Sequence, residues 1–373
     1  MKILFMVYHV LESHSGISKK IISQVEGLRS DGAEVHLCSL EKRPDGSKAR
    51  VIDGVPVKEF GAGLKAKLNK RISYSDITEY VRSEAVGLVY IRYDINSDPF
   101  TVRFVRQLKN AGARVYVEIP TWPYDGEFKG QGMALKTQLF IDKLFRRRFF
   151  GHVDRVVTFS EAKDIFGRPA INISNGIDFE KVPLSETAPF DGGLRILSVA
   201  NIHLWHGLDR LIRGMGECPE VPAELHIVGD GLPEIIESYA ALARGYGMEK
   251  RVKILGPMYG EALDREFDWA NIAAGSLGRH RSGISSIKTL KNREYAARGL
   301  AFFYSEDDSD FDARPYVYKV PSDESPVDVG AVFGFLENLS VSALDIRNSI
   351  SDLSWKNQMH KTLEDYEQDR EEV

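Results

Sequence analysis

The sequence predicts an α/β protein built from two doubly wound domains, and three observations carry that expectation. The 373 residues suffice for two domains of roughly 100–200 residues each. Continuous apolar runs of strand length recur along the chain with helical spacings between them. A Pro- and Gly-marked stretch at residues 181–193 separates one such series from a second.

The first run, Lys2-Ile3-Leu4-Phe5-Met6-Val7-Tyr8, is continuous rather than alternating, which suits a parallel strand covered on both faces. After a loop to Gly16, apolar residues recur at Ile17, Ile21, Val25 and Leu28, a helical spacing ended by Asp31-Gly32. The run 33–38 then completes a βαβ unit. Further strands are expected at 87–91, 113–118, 155–158 and 170–173, with a helix over 99–110, closing a domain at 1–180. Past the linker a second domain spans 194–341, with strands at 194–200, 224–228 and 251–255 and a helix over 208–215. A polar helical segment at 342–373 follows, of a kind that can cross back to the first domain. Two similar domains of this sort, Rossmann-like in pattern, face a central cleft at the carboxyl ends of their strands, where ligands bind.

Composition narrows the function classes. A formal net charge of −5 excludes a general nucleic-acid binder, which needs a basic field. Two cysteines, Cys38 and Cys218, make neither a disulfide framework nor a structural zinc site. The opening apolar run is too short for a signal peptide, and no window reaches the roughly 18 apolar residues of a spanning helix, so a cytoplasmic protein is expected. Two basic clusters, Lys65, Lys67, Lys70 and Arg71, and Lys143 with Arg146, Arg147 and Arg148 before Phe149-Phe150, read equally as solvated helix faces or as a peripheral contact with the inner face of an anionic membrane, at about 1 kcal/mol per cation.

Several spots suit anion or sugar chemistry. Gly16, at the hand-over from first strand to first helix, lets main-chain N–H groups approach a phosphate, or serves only a turn. Asn175-Gly176 reads as a tight turn of left-handed residues. The stretch 279–286 leads a small-residue loop into a helix expected over 286–298, with Ile287, Leu290 and Ala297 on one stripe and Glu294 beside them. A helix start at Ser285-Ser286, flanked by Arg281 and followed by Lys291, suits a diphosphate. Glu294 on an inward face requires a partner; the alternative is a surface ion pair with Arg298. Residues 118–127 follow a strand end and combine Glu118, Asp125 and Glu127 with Trp122 and Tyr124, fitting sugar hydroxyls and ring faces, or a structural turn. His9, His14 and His203 are further cleft candidates. The run Asp307-Asp308-Ser309-Asp310 reads as a polar loop, so no metal site is expected.

The order of these landmarks resembles the GT-B glycosyltransferases of family 4. It runs from the loop glycine at 16 through Ser160, Asn175-Gly176-Ile177-Asp178, Trp205-His206-Gly207-Leu208-Asp209 and Gly229-Asp230-Gly231 to Glu294 in Arg293-Glu294-Tyr295, covering nearly the whole chain. The resemblance implies a retaining, metal-independent transfer from a UDP- or GDP-type nucleotide sugar, with no other cofactor, to a glycan or lipid-linked acceptor in polysaccharide synthesis. Donor contacts are expected at Gly16, Asn201, His206, Gly229, Arg281, Gly283, Ser285, Ser286, Lys291 and Glu294, and the resemblance implies that Glu294 accepts from the ribose hydroxyls. Glu118, Asp125 and Glu127 are the expected reaction-centre acids, and Trp122 and Tyr124 the acceptor platform. Two departures stand out: the family's second glutamate, eight positions before 294, is Ser286, and its two phosphate cations are Asn201 and His206. Arg281 and Lys291 are the expected replacements. A non-catalytic sugar-nucleotide or glycan-binding relative and a sugar-nucleotide epimerase are the competing readings.

Overall fold

The computed structural model describes residues 1–12, 15–125 and 132–371, and they form two compact units. One comprises Met1–Gly176 with the last helix, and the other Ile177–Ser354.

The first unit runs β1 (Lys2–Val10), α1 (Gly16–Ser30), β2 (Glu34–Lys42), β3 (Lys48–Ile52), β4 (Val55–Gly61), α2 (Gly63–Ile72), α3 (Ser75–Ser83), β5 (Leu88–Arg92), α4 (Pro99–Asn110), β6 (Arg114–Ile119), α5 (Met133–Phe150), β7 (Arg155–Thr158), β8 (Asp164–Ile165) and β9 (Arg168–Asn172). Among the described residues these strands make a nine-stranded sheet in the order β4-β3-β2-β1-β5-β6-β7-β9-β8. Its centre is parallel, and Ile3, Leu4, Phe5, Leu88, Val89, Tyr90 and Ile91 are wholly buried, as continuous apolar runs under helices on both faces must be. The edge differs from expectation. β3 and β4 form an antiparallel hairpin around Asp53-Gly54, both with positive φ (47° and 80°), the backbone that two-residue hairpin turns require. α4 begins on a capping box: Asp98 accepts from the N–H of Phe100 and Thr101 at 2.9 Å, and Thr101 Oγ1 accepts from the Asp98 N–H at 2.8 Å.

The second unit runs β10 (Leu194–Val199), α6 (Leu208–Glu217), β11 (Ala223–Val228), α7 (Pro233–Gly245), β12 (Val252–Gly256), α8 (Glu261–Trp269), β13 (Ile272–Ala274), α9 (Leu290–Ala297), β14 (Phe302–Tyr304), β15 (Val317–Lys319), α10 (Val329–Glu337) and α11 (Ala343–Asn348). Among the described residues its sheet has six strands, all parallel, ordered β12-β11-β10-β13-β14-β15. The strand order therefore reverses between β10 and β13, and in the first sheet between β1 and β5. Those are the points where doubly wound sheets open a crevice at their carboxyl ends.

The chain then returns to the first unit as α12 (Trp355–Glu371). Trp355, Met359, Leu363 and Tyr366 are buried in the core cluster that also holds Ile21, Val25 and Leu28 of α1. Two glycines make room for it. A Cβ on Gly27 would lie 2.8 Å from the Trp355 carbonyl oxygen, and one on Gly176 would lie 2.5 Å from the Trp355 ring. Gly176 does not have the positive φ expected of a left-handed turn; a glycine is needed there because an indole occupies the space of a side chain.

Candidate active site

In the first unit, a cavity of about 480 Å³ opens at the reversal point, lined by His9 and Val10 from β1, Arg92, Tyr93 and Asp94 at the end of β5, Pro120 after β6, and Ser15 and Ser18 from the start of α1. Ser15 caps α1, accepting from the Ser18 N–H at 3.4 Å. Gly16 follows with no atom within 4 Å of where a Cβ would sit, leaving the main chain at the positive helix end open to an anion. His9 Nε2 is buried without a hydrogen-bond partner. Burial and the Arg92 charge lower its pKa, so it faces the cavity as neutral imidazole.

The loop read as a reaction centre is largely packed away. Glu118 is wholly buried, accepting from Gln24 Nε2 at 2.6 Å and Tyr90 Oη at 2.8 Å and pairing with Arg92. Burial alone would raise its pKa, but Arg92, Lys20 and these hydrogen bonds hold it below the usual carboxylate value. It is a fixed anion that positions Arg92, with no oxygen left facing solvent. Tyr124 is buried with its hydroxyl donating to Asp142 at 2.8 Å, so its ring is not an open sugar platform. Trp122 stands edge-on to Phe166 with centroids 4.9 Å apart. Asp125 is held by Lys143 and Arg146, each at 2.9 Å. His14 and Glu127 lie outside the described residues.

In the second unit, the loops after β10 and β13 close on each other: the Leu277 N–H donates to the His206 carbonyl at 2.9 Å and the Gly278 N–H to that of Trp205 at 3.2 Å. Gly207, with φ of 61°, permits this approach, since a Cβ there would meet Gly278 N at 2.6 Å. Gly229 is equally constrained, because its Cβ would lie 1.7 Å from the Ala200 carbonyl oxygen; its role in the structure is to let two strand ends meet. Asn201 is exposed at the tip of β10. His206 is buried, its Nδ1 accepting from the His203 N–H at 2.9 Å. Burial, then the nearby Lys291 and Arg279 charges, push its pKa far down, so it replaces a cation with a neutral ring.

Arg281 does not supply the missing charge either. Its guanidinium is bidentate to Asp209 at 2.8 and 2.9 Å, donates to Glu324 at 2.8 and 2.6 Å, and reaches the Leu204 carbonyl at 2.9 Å. Every nitrogen is committed, which corrects its expected role on a diphosphate. Gly283, with φ of 70°, ends the short 3-10 turn at Arg279–Ser282. The expected helix over 286–298 begins later, at Leu290. Ser286 instead forms a parallel bridge with Asp307, fixed by Ile287 N–H to the Asp307 carbonyl at 2.9 Å and Asp307 N–H to the Ser285 carbonyl at 2.7 Å. Ser285 and Ser286 are thus not a helix start. The buried face of α9 is Asn292, Arg293, Tyr295, Ala296 and, as expected, Ala297, while Leu290 is exposed.

Lys291 lies in the first turn of α9, and its ammonium is buried with no hydrogen-bond partner. Burial lowers its pKa, opposed by the Glu306 charge. Glu294, one turn on, keeps its carboxylate 32% exposed; one oxygen accepts from Arg298 Nε at 3.2 Å, while Arg298 Nη1 pairs with Asp264 at 2.8 Å. Among the described residues no other group bonds that carboxylate, so an oxygen remains available. The acidic loop is internal scaffolding: Asp308 and Asp310 both pair with Arg293. Sequence reasoning passed over Arg92 and Glu306, although each is the first charged residue beyond an apolar strand run.

No family model matches the chain, and no curated protein matches its sequence. Its likeness is to solved structures. Sucrose-phosphate synthase from Thermosynechococcus elongatus superposes with a TM-score of 0.65 at 15% identity over all of both chains. A glycosyltransferase from Rickettsia africae does so with 0.63 at 13% over 98% of each. HepE from Anabaena, solved with UDP, gives 0.60 at 15% over 98% of this chain and all of its own. The chain has the GT-B fold of these glycosyltransferases.

Proposed function

We propose that the protein is a glycosyltransferase of the family 4 kind that takes a nucleoside-diphosphate sugar on its second unit and passes the sugar to an acceptor hydroxyl held by the first. The observation that carries this reading lies at the strand-order reversal between β10 and β13. There an unpartnered buried ammonium, Lys291, sits in the first turn of α9 and a half-open carboxylate, Glu294, lies one turn further. Such a pair suits a nucleotide, the cation and helix dipole on phosphate and the carboxylate on ribose hydroxyls. The likeness supports it: HepE was also solved with UDP and glucose, and starch synthase IV of Arabidopsis with ADP and acarbose.

The proposed reaction is the one that the family resemblance implies. The anomeric carbon loses its bond to the diphosphate oxygen and gains one to the acceptor oxygen on the same face, with retention. The acceptor proton passes to the departing diphosphate. Lys291 and the start of α9 stabilise the developing charge, and no divalent ion is invoked. In the first unit, the cavity beside Arg92 and His9 is the proposed acceptor seat, for a glycan or lipid-linked acceptor as in polysaccharide assembly, and Gly16 the proposed phosphate contact of α1. Trp122 remains the aromatic candidate of that unit.

A peripheral membrane contact belongs to the same proposal. Phe149 and Phe150 are core residues, but Met133, Phe140 and Leu144 on α5 and Leu64 and Leu68 on α2 are exposed beside basic residues, the composition of a bilayer-facing surface. No helix among the described residues is long and apolar enough to cross a membrane. The full commitment of Arg281 and the neutrality of His206 favour, as a second reading, a sugar-nucleotide binder without turnover.

The test is thermal unfolding with UDP, GDP, ADP and NAD. One nucleoside diphosphate at 100 times its dissociation constant adds about 2.7 kcal/mol, and Glu294→Ala removes that gain. A shift with NAD alone overturns the proposal; diphosphate binding without release of sugar to any acceptor selects the second reading.

A further inference from the structure

The most costly arrangement in the second unit lies between the tips of β13 and β14 and the first turn of α9. Glu306, two residues beyond β14, is 1% exposed, and neither carboxylate oxygen has a hydrogen-bond partner; its own main-chain N–H approaches without the geometry of a bond. Lys291 brings a buried ammonium, also unpartnered. Ser276, beside Glu306 through the Ser305 N–H to Ser276 carbonyl bond of 2.9 Å, is wholly buried with an unpaired hydroxyl, and Asn292 leaves its side-chain oxygen unpaired.

A buried carboxylate without partners is expensive, and this one is not joined to the ammonium that offsets it. Burial raises the Glu306 carboxyl to about 7 against the pull of Lys291 and Arg279 and lowers the Lys291 ammonium to about 7, so the two buried groups act on each other. Two cations beside the carboxylate disfavour a bound metal ion. The carboxylate disfavours a phosphate on its own side. A hydroxyl suits both, since it donates to the carboxylate and accepts from an ammonium or a serine. Glu306 also sits next to Asp307, the bridge partner of Ser286.

We infer that Glu306 recognises a hydroxyl of the glycosyl group of the donor, with Lys291 spanning from that group to the diphosphate. This rests on the nucleotide-sugar reading of the site. It makes Glu306 a specificity-determining residue that distinguishes a nucleotide sugar from the bare nucleoside diphosphate.

Calorimetric titration of the full chain with UDP, UDP-glucose, GDP, GDP-mannose, ADP and ADP-glucose tests it, comparing the wild type with Glu306→Gln and Lys291→Met. For the pair that the wild type binds, Glu306→Gln is expected to leave diphosphate affinity within twofold and weaken the nucleotide sugar by about ten- to a hundredfold, the worth of a hydrogen bond to a charged group. Lys291→Met weakens both ligands. Should Glu306→Gln fail to fold, Glu306→Asp serves, because shortening the side chain withdraws the carboxylate and lowers nucleotide-sugar affinity alone. Equal weakening of both ligands by the Glu306 variant assigns the carboxylate to the diphosphate and overturns the inference, as do unchanged affinities, which leave it a structural charge. If the wild type binds none of the six, the nucleotide-sugar reading falls and the inference with it.

Discussion

Replacing Glu118 by Gln separates the structural reading of that residue from the catalytic one expected from sequence. The carboxylate is wholly buried and receives hydrogen bonds from Gln24 at 2.6 Å and Tyr90 at 2.8 Å, beside its ion pair with Arg92. Glutamine keeps the shape but removes the charge, so Arg92, itself only 11% exposed in its side chain, loses its counterion. Breaking a buried pair by removing one partner costs about 3–5 kcal/mol. Urea unfolding followed at a probe in the first unit reads that loss as an earlier transition. The pH dependence has a fixed sign. Because the folded pKa lies below the unfolded one, the wild-type carboxylate contributes stability above the unfolded value of about 4.3, and that contribution fades as pH falls through the folded value. The variant therefore differs most from wild type near neutrality and least in acid. An unchanged transition accompanied by loss of turnover of several orders of magnitude refutes the argument and restores Glu118 to the chemistry.

Two other perturbations probe the corrected assignments. Arg281→Met removes a guanidinium that holds Asp209 and Glu324; it is expected to destabilise the second unit by about 1–3 kcal/mol and to leave nucleoside-diphosphate affinity within twofold in titration, whereas a tenfold loss of affinity with unchanged stability would return it to the phosphate site. Phe140→Ser combined with Leu144→Ser, on side chains 62% and 57% exposed, is expected to leave the unfolding midpoint within about 0.5 kcal/mol and to abolish co-sedimentation with phosphatidylserine vesicles; undiminished sedimentation removes α5 from any membrane contact.

The fold was legible because it rests on local signals. β1, β5, β6, β10 and β11 are apolar runs whose burial on both faces follows from their composition, and the Asp98-Pro99 start of α4 carries its own cap. The β3–β4 hairpin was legible too, through Asp53-Gly54 between Val51-Ile52 and Val55-Pro56-Val57, but the central runs drew the reading away from the edge. The two-domain α/β pattern likewise led to the GT-B fold that the chain has.

Availability was not legible. Arg281 and Lys291 look alike in sequence, yet one is saturated by Asp209 and Glu324, 72 and 43 positions away, and the other is buried without a partner. Glu118 and Glu294 both promise an accessible carboxylate, and only the second keeps one. Gly176 reads as a turn until Trp355, from the far end of the chain, is placed against it. The sequence by itself determined the central strands of both sheets, several of the helices between them and where polar residues emerge at strand ends, because those depend on neighbours a few positions apart. Tertiary structure alone decided which charges are spent on one another, because desolvation and pairing depend on distances in space that sequence separation does not encode.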